Sequence, residues 1–144
     1  MLLVNRSVIL KKISYIRHNL SRLGDKVNIS LESFKKDLDI QDVVLHNVQH
    51  AVQGCIDIGS HIISDEGWGV AGGLNEIFYI LKDKGVIKAE MVEKMISMVG
   101  FRNVLVHEYE DINLDIVYNI LHHHLRDINE YLLAMVNYFK LDWR

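Results

Sequence analysis

Proline is absent from the 144 residues, and cysteine occurs once. Loop-rich β-sandwiches and barrels commonly use proline in their turns, so its absence points away from those architectures. The single thiol, Cys55, excludes an internal disulfide framework and fits a reducing cytoplasm. No apolar run approaches the ~18 residues of a membrane span. Met1 to Val4 is apolar, but Asn5 and Arg6 break the run at once, which is not the pattern of a signal peptide. Apolar residues make up 49% and charged residues 24%, the balance of an ordinary globular protein, and the length suits one domain spanning 1–144.

The formal net charge is −3, which argues against broad, non-specific nucleic-acid binding. The charge is uneven. Residues 1–36 carry eight basic side chains against Asp25 and Glu32, a balance of +6, and the rest of the chain carries −9. Such a basic quarter faces a phosphate backbone, faces an acidic partner, or is a solvated helix face.

Spacing predicts about five helices. The first runs from Asn5, an N-cap, to Gly24, with Val8, Ile9, Ile13, Ile16 and Leu20 on its apolar stripe. A loop with a short turn follows around Ser30 to Lys36. The second helix spans about Asp39 to Ile63, with Asp39 and Asp42 near its start and a stripe through Val44, Val48, Ala51, Cys55, Ile58 and Ile62. Its small residues, including Gly54 and Gly59, allow another backbone to approach. The third covers about Gly72 to Lys84 and stops at Gly85. The fourth starts near Lys88. Asn113 caps a last helix that runs to about Leu141, lined by Val117, Leu121, Leu125, Ile128, Leu132 and Phe139. No strand alternation is sustained. The expected architecture is an all-α, up-and-down bundle.

The sharpest local feature is Phe101-Arg102-Asn103-Val104-Leu105-Val106-His107-Glu108-Tyr109. Five residues of continuous helix turn about 500°, a net offset of ~140°, so Arg102 and His107 diverge unless the helix ends between them or a partner subunit completes the site. Phosphoryl transfer wants this pair of residue types. Arginine is a permanent forked cation for phosphate oxygens, and histidine exchanges protons near neutral pH. Together they suit RNA cleavage without metal, by attack of a 2′-hydroxyl on the adjacent phosphorus. Spacing alone is a weak signal, and on chemistry alone a structural arginine and histidine is the favoured reading.

The segment Met98-Val-Gly-Phe-Arg-Asn-Val-Leu-Val-His-Glu-Tyr109, with its Arg-x-x-x-x-His-x-Tyr pattern, resembles the signature of the HepT-like toxins of the HEPN superfamily. Residues 51–63, 75–81 and 85–87 resemble the same family, and the likeness covers roughly residues 5–140. It implies a homodimeric helical ribonuclease with a composite site at the dimer interface. It also implies an antitoxin of the MNT nucleotidyltransferase class, which moves AMP from ATP to the motif tyrosine, in a toxin–antitoxin system of the type VII kind. Carried over, Arg102 holds phosphate, His107 is the acid/base group and Tyr109 is the AMPylation target. No resident cofactor is expected. Members often carry a proline before the third helix, where this chain has Val70-Ala71-Gly72-Gly73.

Asn103 is expected to position the substrate or His107, with a capping or surface role as the alternative. Glu108, Glu110 and Asp111 are expected to be solvated or to face the partner. His46 and His50 share a helix face but lack a third ligand at a standard spacing. His122, His123 and His124 point in different directions on a helix. Asp57 is expected to be hydrogen-bonded in the interior, Cys55 to be a packed thiol, Trp68 to be an interface anchor and Trp143 to pack the terminal helix. Two other readings remain: a non-catalytic helical dimer that docks and regulates a nucleotidyltransferase, and a nucleotide-binding helical protein with Arg102 on a phosphate.

Overall fold

In the computed structural model, which describes residues 3–107 and 111–143, the side chain of Asn5 accepts from the Val8 amide and starts α1 (Arg6–Gly24). Such a cap contributes about 1 kcal/mol. Ser30 caps α2 (Leu31–Lys36) through the Ser33 amide, and Asp37 caps α3 (Leu38–Glu66) through the Ile40 amide. α3 therefore starts near the expected place, but its cap is Asp37 rather than Asp39. It ends where Gly67 takes the left-handed conformation (φ 68°), three residues beyond the expected stop. Then come α4 (Leu74–Asp83) and α5 (Ala89–His107). Asn113 caps α6 (Leu114–His123) as its spacing suggests, and α7 (Leu125–Phe139) follows.

The described residues thus form seven helices, not about five. Two differences account for this. The short turn expected at 30–36 is a capped helix that buries Phe34 completely. The long last helix is broken at His124, whose ring Nδ1 lies 3.2 Å from the Asp127 carboxylate. Neither proline nor glycine marks that break.

α3 is the central rod. It packs against α1, α2, α4, α5 and α7. Its inner stripe (Val44, Val48, Ala51, Cys55, Ile58, Ile62) is fully buried. Two glycines set the closeness of packing. A methyl group built on Gly54 would lie 2.5 Å from the Ile16 side chain of α1, and one on Gly59 would lie 2.5 Å from Ile77 of α4. The Tyr131 hydroxyl of α7 donates to the Cys55 carbonyl at 2.9 Å. Burial pushes both the Tyr131 phenol and the Cys55 thiol up from their ordinary pKa values, so both stay protonated in the core.

Two arginines of α1 fasten the segment after α7. Arg6 donates to the carbonyls of Phe139 and Lys140. Arg17 donates to the Trp143 carbonyl at 2.9 Å and stacks over the Trp143 ring at 4.7 Å. Trp143 thus packs against α1, and Trp68 is half-buried against Tyr138. Among the described residues, no helix is long and apolar enough to cross a membrane.

Candidate active site

α5 is continuous through His107, so Arg102 and His107 lie on different sides of one helix. Arg102 turns inward and is half-buried, while His107 is exposed in the last turn. One guanidinium nitrogen of Arg102 donates to Gln53 Oε1 of α3 at 2.5 Å, and the other donates to Asn103 Oδ1 at 3.0 Å. Its Nε is buried with no partner among the described residues. The guanidinium is thus held at two points. Asn103, half-buried in the interior of α5 rather than at its end, accepts from Arg102 and caps no helix.

Gln53 has its own anchor. Its Nε2 donates to Asp57 Oδ1 at 2.9 Å, one turn along α3. That bond fixes which end of the amide is nitrogen, and so which end is offered to Arg102. Asp57 is exposed, which corrects the expectation of an interior carboxylate. It sits two residues from Cys55, about 200° around the helix and away from the buried stripe. Composition and motif reading did not single out Gln53. Its only sequence signal is the four-residue spacing to Asp57.

Val104 and Val106 lie within the motif and are 41% and 40% exposed, about 200° apart on either side of the buried Leu105. Glu108, Tyr109 and Glu110 lie outside the described residues, and Asp111 is exposed. The other candidates stand apart. The His46 and His50 rings are 4.2 Å apart on α3. His122 is bonded to the carbonyls of Tyr118 and Val27. No group of three histidine, cysteine, aspartate or glutamate side chains placed to hold a metal occurs among the described residues.

The model of the ribonuclease HepT-like family matches residues 16–135. The chain belongs to that family. The HepT-like assignment therefore holds over nearly the whole bundle, with the Arg102–His107 motif inside the matched stretch. An mRNA nuclease HepT of Shewanella oneidensis is 33% identical over 125 residues, covering 87% of this chain and 93% of the relative. A tRNA nuclease HepT of Aphanizomenon flos-aquae is 28% identical over 135 residues, covering 89% and 92%. Among solved structures, the tri-AMPylated Shewanella oneidensis HEPN toxin in complex with its MNT antitoxin superposes with a TM-score of 0.82. It is 32% identical over 90% of this chain and 97% of that one. YutE of Bacillus subtilis, a cytosolic protein of unknown function, shares the fold at a TM-score of 0.83 and 18% identity.

Proposed function

We propose that the chain is the toxin of a HEPN/MNT toxin–antitoxin pair of the type VII kind and acts in the cytoplasm as a metal-independent endoribonuclease. The observation that carries this is the clamped Arg102. A half-buried guanidinium held by Gln53 and Asn103 is a preorganised phosphate grip on the helix that carries His107. Likeness to named nucleases and to a toxin bound to an MNT antitoxin supports the same reading.

In this mechanism the RNA 2′-oxygen attacks the adjacent phosphorus. Its proton passes to one His107 imidazole. The 5′-oxygen leaves and takes a proton, giving a 2′,3′-cyclic phosphate and a 5′-hydroxyl. Arg102 neutralises the charge that builds on the phosphoryl oxygens. Asn103 positions the guanidinium. Because Arg102 and His107 diverge on one helix, the working site is composite, completed by a second copy of the chain. The homodimer then supplies both a base and an acid from its two histidines.

The antitoxin silences the site through Tyr109. The phenolic oxygen attacks the α-phosphorus of ATP, pyrophosphate leaves and the phenolic proton is lost. Each AMP places a phosphodiester charge and an adenosine beside Arg102 and His107, which excludes RNA by occupancy and repulsion.

The test is cleavage of total RNA by the purified protein, by Arg102→Ala and by His107→Ala. It is paired with intact mass before and after incubation with ATP, magnesium and the MNT-class antitoxin. Cleavage lost in both variants, with mass added in AMP steps and activity falling with it, is the expected result. A folded protein that neither cleaves RNA nor gains mass would instead favour the regulatory scaffold.

A further inference from the structure

Four of the five lysines and arginines of α1 fall into two sets. Arg6 and Arg17 are spent on the segment after α7. Lys11 and Lys12 form no ion pair among the described residues, and α1 contains no acidic residue. Both lysines line a cavity of about 340 Å³ between α1 and α3, with Tyr15, His50, Gln53 and Asp57. Tyr15 follows Lys11 and Lys12 by four and three residues, so the three share a face of α1. Across from them, His46, His50, Gln53 and Asp57 follow one another by four, three and four residues along the polar side of α3. The α3 wall of the furrow, from His50 to Asp57, is about 10 Å long at 1.5 Å per residue.

The furrow opens onto the candidate active site through one shared wall. Gln53 lines it, and the same side chain accepts from Arg102 at 2.5 Å. Its aromatic surface is presented rather than packed away. Tyr15 is 50% exposed, and its ring meets His50 edge-on at 6.3 Å, with its hydroxyl 3.4 Å from His50 Nδ1. Lysines for the backbone, with an aromatic face for bases, are the combination that single-stranded nucleic acid uses. A protein partner would want apolar area, and the exposed valines of the motif lie on α5, outside this furrow.

We infer that the α1–α3 furrow is a subsite for the single-stranded RNA flanking the scissile bond. Phosphates sit on Lys11 and Lys12, and a base lies against Tyr15. The inference rests on the ribonuclease reading and extends it to the path of the strand. A net acidic protein thereby confines its attraction for RNA to one track that ends at Arg102. Asp57 on the floor of the furrow turns the Gln53 amide and disfavours a phosphate at that point.

The probe is a fluorescein-labelled, mixed-sequence 2′-O-methyl oligoribonucleotide, which lacks the attacking hydroxyl and cannot be cut. Its affinity is measured by anisotropy across a salt series. The variants are Lys11→Glu with Lys12→Glu, the milder Lys11→Gln with Lys12→Gln, Tyr15→Ala, and Lys82→Glu with Lys84→Glu as a control of equal charge elsewhere. The lysine variants are expected to weaken binding about tenfold or more and to flatten the salt slope by about 1 to 1.5. Tyr15→Ala should weaken binding with the slope unchanged, and the control should bind nearly as the unaltered protein does. Binding within about twofold after loss of both lysines, or an equal loss in the control, overturns the inference. So does a loss of dimer mass or of antitoxin docking with RNA affinity intact, which would make the furrow a protein contact. Cleavage of total RNA by the unaltered protein is scored separately. Furrow-dependent binding without any cleavage would sink the ribonuclease reading and reduce the furrow to an RNA-binding site with no scissile bond beside it.

Discussion

Arg102 of α5 and Gln53 of α3 are joined at 2.5 Å, and Asp57 decides which end of the Gln53 amide Arg102 meets. The arginine of the motif is therefore aimed by a residue 49 positions earlier in the chain. Gln53→Ala removes one of its two tethers. RNA cleavage should fall about tenfold or more, mainly in kcat, because a looser guanidinium stabilises the transition state less. Stability should change by only about 1 kcal/mol, the usual net worth of such a bond. Gln53→Glu should restore the tether but lower activity, since a carboxylate competes with phosphate for Arg102. Single-turnover kinetics beside thermal melts separate these effects, and an unchanged kcat in Gln53→Ala would remove Gln53 from the site.

Tyr109→Phe keeps the ring and removes the oxygen that would attack ATP. Cleavage should remain close to that of the unaltered protein. No AMP should be added by the antitoxin, and co-expression should no longer protect the cell. Intact-mass spectrometry of the variant after incubation is the check, and AMP found on another residue would defeat the single-target assignment.

Two glycines should respond with opposite sign. An alanine methyl at Gly59 meets Ile77 at 2.5 Å, the Tyr131 hydroxyl at 3.0 Å and Leu81 at 3.3 Å. Overpacking there should outweigh the gain in helix propensity and cost about 1–2 kcal/mol. Gly100, in α5, has nothing within 4 Å of the same position. Gly100→Ala should stabilise by up to about 1 kcal/mol. Paired melts decide both, and a stabilised Gly59→Ala would mean that α3 and α4 are less tightly held than the contacts imply.

Burial, and then the neighbouring His46, lower the His50 pKa from its ordinary 6.5. The fold thus prefers the neutral ring. Above the unfolded value both states are neutral and His50 contributes no pH dependence. As pH falls below it, the unfolded chain takes up the proton first, and the fold loses stability until the lower folded pKa is passed. Between pH 7 and 5 the unaltered protein should therefore lose more Tm than His50→Gln. Parallel pH curves for the two proteins would contradict this.

The helical class was legible because Ile9, Ile13 and Ile16, or Val44, Val48 and Ala51, recur at helical spacing and are buried. Asn5 and Asn113 announced their helices because a side-chain oxygen before an apolar stripe is a local signal. The break at His124 was not legible. A one-residue interruption leaves the interval from Leu121 to Leu125 to Ile128 at four and three, so the stripe reads straight through it. α2 has one buried anchor, Phe34, too few for a period. In the site, Arg102 and His107 were visible as a motif. Gln53 was not, because an uncharged amide gains its role only when α3 and α5 are packed together.

The fastening of Arg6 and Arg17 to residues 139–143 also bears on synthesis. These bonds join positions 126 to 134 apart. On the ribosome, α1 and α3 emerge well before their fastener is made, and the motif of α5 emerges before that segment leaves the tunnel. The frame around Arg102 can be assembled early but is locked only when segment 139–143 has left the exit tunnel. A nascent chain stalled before that point carries the chemistry of the motif without the clasp that closes the bundle around it.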